Sequence, residues 1–141
     1  MNTHLKFRQL SREDIEAIVV HHTATRPSQD IGVREIDQWH RKRGWLACGY
    51  HFIIRRDGSI EPGRLVTQQG AHVAGFNHVS LGVAMVGGLN EETGETEDNF
   101  TDAQYRSLKA LKLAIGGGLM LKPHKYYSAT ECCAVDLRRV D

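Results

Sequence analysis

Two histidines and a cysteine stand just beyond apolar stretches of this chain. His21 directly follows the β-branched run Ile18-Val19-Val20, His124 comes just after Leu119-Met120-Leu121, and Cys132 lies eight positions beyond it. A thiolate with two imidazoles suits zinc, a borderline ion that accepts both nitrogen and sulfur. Three protein ligands leave one position open, which is the catalytic rather than the closed structural arrangement. In such a site zinc lowers the pKa of water to about 7. The chain contains no Cys-x-x-Cys and no His-Glu-x-x-His, so spacing alone is a weak signal. His21 has a second reading as a capped or solvated histidine, and Cys132 as a buried inert thiol. The three segments make a site only where the fold brings them together.

The chain that must position them has 141 residues, about one domain. Eighteen Lys and Arg against seventeen Asp and Glu leave a net charge of +1, and 25% of residues are charged against 40% hydrophobic. That mix argues against disorder, and a chain this long buries enough surface for a core without disulfide staples. Near-neutral charge speaks against a broad basic face for nucleic acid. No N-terminal segment pairs basic residues with an apolar stretch, so no export signal is expected. The longest apolar runs, Leu81–Leu89 and Leu113–Leu121, have nine residues each, well short of the ~20 a membrane helix needs. Cys48, Cys132 and Cys133 cannot all pair, and adjacent cysteines are poorly placed to bridge. Reduced thiols or metal ligation are therefore expected.

Residues 1–14 are mostly polar and read as an N-terminal arm or edge strand, with a single domain over 15–141. Ile15–Val20 suits a strand buried on both faces. The spacing Val33, Ile36, His40 is helical, with Gly32 and Glu35 at its start and Gly44 at its end. Tyr50–Arg56 is a strand that turns at Asp57-Gly58 and returns through Ser59-Ile60-Glu61. Residues 66–77 read as loop with a short strand, Leu81–Val86 as another apolar strand, and the acidic stretch 90–99 as a solvated loop. Thr101-x-x-Gln104 is a capping box that opens a helix with Leu108, Leu111 and Ile115 on its apolar face. Gly116-Gly117-Gly118 stops that helix, Leu119–Leu121 is a short strand, and Ala134–Val140 a last short helix. Trp39, Trp45 and Phe52 are expected in the core. Strands alternating with helices, plus one hairpin, predict an α/β fold with a central mixed sheet flanked by helices.

The strings Ile18-Val19-Val20-His21, Gly32-Val33-Arg34-Glu35-Ile36, Gln38-Trp39-His40, Gly49-Tyr50-His51-Phe52-Ile53-Ile54 and Gly75-Phe76-Asn77-His78 resemble the zinc-dependent type 2 N-acetylmuramoyl-L-alanine amidases. Ser80-Leu81-Gly82-Val83 with Gly87-Gly88, and Asn99-Phe100-Thr101, extend the likeness, which runs in one register from about Ile15 to Arg139. Within the family the likeness is greatest to the bacteriophage endolysins; the peptidoglycan recognition proteins are more distant members.

The resemblance implies one zinc per chain held by His21, His124 and Cys132. His21 and His22 are neighbours on a strand and point to opposite faces; the family register selects His21. It likewise selects Cys132, with Cys133 where relatives carry proline. Tyr50 matches the active-site tyrosine, whose phenol stabilises the oxygen that becomes negative. Thr130 stands where phage members carry a catalytic lysine and where amidase members of the recognition proteins tend to carry threonine. His72 and Asn77 fall in the segment that lines the substrate groove. The implied activity is hydrolysis of the amide between N-acetylmuramic acid and L-alanine in peptidoglycan.

The implied enzyme is a monomer made in the host cytoplasm that reaches the wall with the help of a separate membrane-permeabilising protein. It binds peptidoglycan but no nucleic acid or membrane. Three other roles stay open: a non-catalytic peptidoglycan-binding protein, an added function as inhibitor of a phage single-subunit RNA polymerase, and a structural zinc site closed by Cys133 or His22.

Overall fold

Ile18, Val19 and Val20 are completely buried, as a β-branched run demands when a sheet is covered on both faces. In the computed structural model, which describes residues 7–116, 118–127, 130, 132 and 134–140, this run forms the middle of strand β1, Ala17–His22. Strand β2 is Phe52–Ile54, β3 is Ile60–Pro62, β4 is Ser80–Met85 and β5 is Met120–Pro123. They make one sheet in the order β3-β2-β4-β1-β5. β1 runs parallel to both β4 and β5, β2 parallel to β4, and β3 antiparallel to β2. The sheet is therefore mixed, as the alternation of elements predicts. At the hairpin, Gly58 takes a φ of +90°, open to glycine at little cost, and Asp57 Oδ1 accepts the Ser59 N–H at 2.8 Å.

Helix α1 spans Val33–Lys42. Glu35 Oε1 accepts the Gly32 N–H at 2.7 Å and Glu61 Oε1, from β3, accepts the Val33 N–H at 2.8 Å. These carboxylates take up orphan donors of the first turn and pin the helix start to the sheet edge. Ile36 packs with Ile53, Ala84 and Val86 on one face of the sheet. Helix α2, Asp102–Ile115, starts with the expected capping box: Thr101 Oγ1 accepts the Gln104 N–H at 3.1 Å, and Gln104 Oε1 accepts the Thr101 N–H at 2.9 Å. Tyr105, Leu108 and Leu111 cover Ile18, Val20, Ile54, Val83 and Met85 on the opposite face. Each such aliphatic burial stabilises the fold by about 1.5–3 kcal/mol. Gln104 is itself fully buried, and its Nε2 donates to the carbonyls of Ile54 and Val86, each at 3.0 Å.

Several expectations need correction. Among the described residues, 66–77 hold no regular strand; Gln68 makes only an isolated bridge to Gln9. The described part of the arm is tied down by this contact, because Leu10 is buried and its N–H bonds to the Thr67 carbonyl at 2.8 Å. The last helix is a single 3-10 turn, Leu137–Val140, and the Asp136 N–H just before it bonds to the Tyr105 hydroxyl at 2.9 Å. β5 starts at Met120 rather than Leu119. Trp39 and Trp45 are exposed rather than core, at 38% and 36% of their surface. On α1 only Ile36 and His40 are buried, which leaves Trp39 outside the apolar stripe. Phe52 is half-buried against the larger core. Met1–Lys6 of the arm and Gly117 of the helix stop lie outside the described residues.

Candidate metal centre

Side chains alternate along β1, so Ile18 and Val20 meet α2 and His21 turns to the other face. Its ring lies 4.5 Å from that of His124, 5.1 Å from Tyr50 and 5.0 Å from His72, centroid to centroid. His22 is directed elsewhere: its ring sits 6.4 Å from Phe100 and against the backbone of Gly88. Among the described residues, His22 Nδ1 is the buried side-chain nitrogen or oxygen without a hydrogen-bond partner.

His124 arrives from the adjacent strand. The register pairs Val20 with Pro123, so the next residues, His21 and His124, leave two parallel strands side by side. Cys132 comes from the C-terminal segment that packs on α2, and its Sγ accepts the His22 backbone N–H at 3.3 Å. The ligand atoms of His21, His124 and Cys132 all lie within 4.8 Å of one another. Two imidazoles and a sulfur at this spacing, largely enclosed by protein, match the donor set of a transition-metal site.

Metal ligation by Cys132 would use its thiolate. The His22 N–H is then already placed to hydrogen-bond the anion. Cys133 lies outside the described residues. Cys48 is a free buried thiol whose pKa burial pushes up to about 11, which makes it inert.

Burial also sets the charge of the imidazoles. It holds His21 and His72 well below the ordinary histidine range and lowers His22 and His124. At neutral pH these rings are uncharged and keep a lone pair for an ion. Burial pushes the Tyr50 phenol up to about 12, so near the cluster it is an O–H donor rather than a phenolate.

The cluster opens onto a cleft of about 480 Å3. His40, Arg43, Trp45, Tyr50, residues 71–74 and Asn77 line it. Both predicted groove residues are here. His72 borders the cleft, but both its ring nitrogens already have protein partners. Asn77 Oδ1 accepts the backbone N–H groups of His72 and Val73, each at 3.0 Å. Thr130 is exposed, and its Oγ1 accepts the Cys132 N–H at 3.2 Å without lining the cleft.

His40, Arg43 and Trp45 were not singled out for the site by sequence. His40 is buried, and its Nδ1 accepts the Gly49 N–H at 2.8 Å, which fixes the turn that carries Tyr50. Burial pushes its pKa down to about 4. Its place on the apolar stripe of α1 was the available signal, because a buried polar ring must find a partner. The Trp45 ring lies 4.5 Å from that ring, tilted by 54°, with the Arg43 guanidinium 5.5 Å above the indole.

Residues 11–126 match the N-acetylmuramoyl-L-alanine amidase family. The endolysin of Escherichia phage T7 is 47% identical over 138 residues, covering 96% of this chain and 89% of the phage protein. The N-acetylmuramoyl-L-alanine amidase LysC of Clostridium intestinale superposes with a TM-score of 0.71 at 33% identity, over 92% of this chain and 85% of its own. Peptidoglycan recognition protein-LE, solved with tracheal cytotoxin (monomeric diaminopimelic acid-type peptidoglycan), gives 0.68 at 26% identity, over 94% and 81%.

Proposed function

This chain belongs to the N-acetylmuramoyl-L-alanine amidase family, and from that premise we propose that His21, His124 and Cys132 hold one zinc ion at its hydrolytic centre. The protein is an endolysin-type hydrolase of peptidoglycan that cuts the amide between N-acetylmuramic acid and L-alanine. The observation that carries the metal assignment is the meeting of two imidazoles and one sulfur within 4.8 Å beside a cleft. When bound, zinc supplies Lewis acidity, polarising the amide carbonyl and making hydroxide available near neutral pH.

The protein's own groups do the rest. Tyr50, kept protonated by burial, donates its O–H to the amide oxygen as that oxygen gains negative charge. A preorganised donor of this kind lowers the barrier by about 2.7–4 kcal/mol. Thr130, where phage members carry a lysine, holds the Cys132 backbone N–H through Oγ1 and would act through the placing of that ligand. Asn77 and His72 border the space the peptide stem would fill, which Trp45 and Arg43 also line.

Among the described residues no helix is long and apolar enough to cross a membrane. Separately, the endolysin reading drawn from the phage relatives includes accumulation as a monomer in the host cytoplasm and passage to the wall through a separately encoded permeabilising protein. A phage single-subunit RNA polymerase as a second partner is a separate proposal, which co-purification with that polymerase tests.

Purified sacculi test the activity. New L-alanine N-termini should appear, a chelator should abolish them, and added zinc should restore them. Release of reducing sugar ends instead would reject the amidase assignment. Binding to sacculi without amine release would favour a recognition role such as that of the solved recognition protein.

A further inference from the structure

The His72 ring stands edge-on to His21 and is buried. Its Nδ1 lies 2.9 Å from His21 Nε2, its Nε2 lies 3.4 Å from Ser80 Oγ, and Ser80 Oγ lies 2.8 Å from the Phe76 carbonyl oxygen. The last acceptor in this row decides where every hydrogen sits. A carbonyl oxygen only accepts, so the Ser80 hydroxyl donates to Phe76. Ser80 Oγ then meets His72 with a lone pair, and His72 carries its ring hydrogen on Nε2. That leaves His72 Nδ1 bare, to accept from His21 Nε2–H. A neutral His21 protonated on Nε2 has its remaining lone pair on Nδ1.

We propose that His72 is a positioning residue of the metal centre: by accepting the His21 Nε2–H it fixes the tautomer and ring orientation in which His21 offers Nδ1 to the ion. The inference rests on the metal-centre reading of His21; the proton order is read independently from the Phe76–Ser80–His72–His21 row.

The surroundings hold His72 for this task from every side. A Cβ on Gly82, in the middle of β4, would come within 2.5 Å of its ring, and so would one on Gly70. These two glycines leave the slot that the imidazole fills. Asn77 anchors the backbone of His72 through its amide oxygen. A histidine kept for substrate would leave one ring nitrogen open to the cleft, whereas here both are engaged within the protein. Groups that hold the far nitrogen of a metal-binding histidine strengthen metal affinity by about 10–100-fold.

Two variants of the full-length, reduced protein separate positioning from bulk packing. His72→Phe keeps a ring of similar size but loses the acceptor. His72→Asn loses the ring but keeps an amide oxygen near the place of Nδ1. Zinc affinity is measured by competition with a chromophoric chelator. The His21 tautomer is read in the zinc-free protein from long-range 15N–1H correlations of its ring. The expected results are an Nε2-protonated His21 in wild type, a loss of about 10–100-fold in zinc affinity for His72→Phe, and recovery of most of that loss in His72→Asn. Should His72→Phe fail to fold, the wild-type tautomer and the Asn variant still decide the matter. An Nδ1-protonated His21, or phenylalanine and asparagine variants with equal zinc affinity, would overturn the role of His72 alone. Absence of zinc uptake by wild type would instead remove the metal centre on which that role depends.

Discussion

A single methyl group on β4 should weaken a metal site to which it adds no ligand. In Gly82→Ala the new Cβ would lie 2.5 Å from His72 Cγ and 2.7 Å from its Cδ2 and Nδ1. Ordinary van der Waals contact starts at 3.4 Å, so the ring must withdraw by about 0.9 Å. Gly82 pairs with the fully buried Val19 of β1 and cannot move away in compensation, and a Cβ on Gly70 would also meet His72 Cδ2 at 2.5 Å, so the slot has little slack. A withdrawal along the 2.9 Å bond to His21 takes that bond out of hydrogen-bonding range. Overpacking of this kind costs about 1–3 kcal/mol; at roughly 3 °C per kcal/mol for a chain this long, the melting temperature should fall by about 3–9 °C. Zinc affinity should fall by about 10–100-fold as the His21 ring loses its anchor. Thermal melts and chelator competition read the two effects, with Gly118→Ala as control because a Cβ there meets nothing within 4 Å. A Gly82→Ala protein with the melting temperature and zinc affinity of wild type would refute the reasoning.

Three further outcomes follow from the same geometry. Tyr50→Phe should keep its zinc but lose about 10²–10³-fold in kcat on sacculi; unchanged turnover would remove Tyr50 from the mechanism. His40 and His51, both with pKa pushed to about 4 by burial, bind fewer protons folded than unfolded. Their contribution to stability is therefore complete above pH 6.5 and is lost as pH falls toward 4, by up to about 3 kcal/mol each; a flat urea-unfolding profile of the zinc-free protein across that window would contradict this. Because the Cys132 sulfur lies within 4.8 Å of the His21 and His124 ligand nitrogens, Cys132→Ala should lose most zinc uptake, and equal uptake by this variant and wild type would exclude Cys132 as a ligand.

Much of the scaffold was legible in short-range pattern. The Ile18-Val19-Val20 run marked the central strand, Asp57-Gly58 the hairpin, and Thr101 with Gln104 the start of α2, since each feature acts within a few residues. Alternation along β1 separated His21 from His22 before any contact was known, and β1 and β5 do deliver His21 and His124 together. The contacts that build the site were not legible in that way. His21 and His72 meet across 51 positions and His22 reaches Cys132 across 110, distances at which periodicity carries no information. Sequence placed His72 in the groove, but only the fold shows that its two nitrogens are taken by His21 and Ser80. Trp45 was misread as core because aromatic content signals burial on average, whereas here the indole lies on His40 at the cleft wall.

The most direct test of the account is the zinc coordination shell of the reduced, full-length protein, measured by X-ray absorption at the zinc edge. The structure predicts one sulfur at about 2.3 Å and two imidazole nitrogens at about 2.0–2.1 Å, with no further side chain. A shell of two sulfurs, or of three imidazoles, would mean that Cys133 or His22 closes the site, and the hydrolytic centre described for His21, His124 and Cys132 would be contradicted.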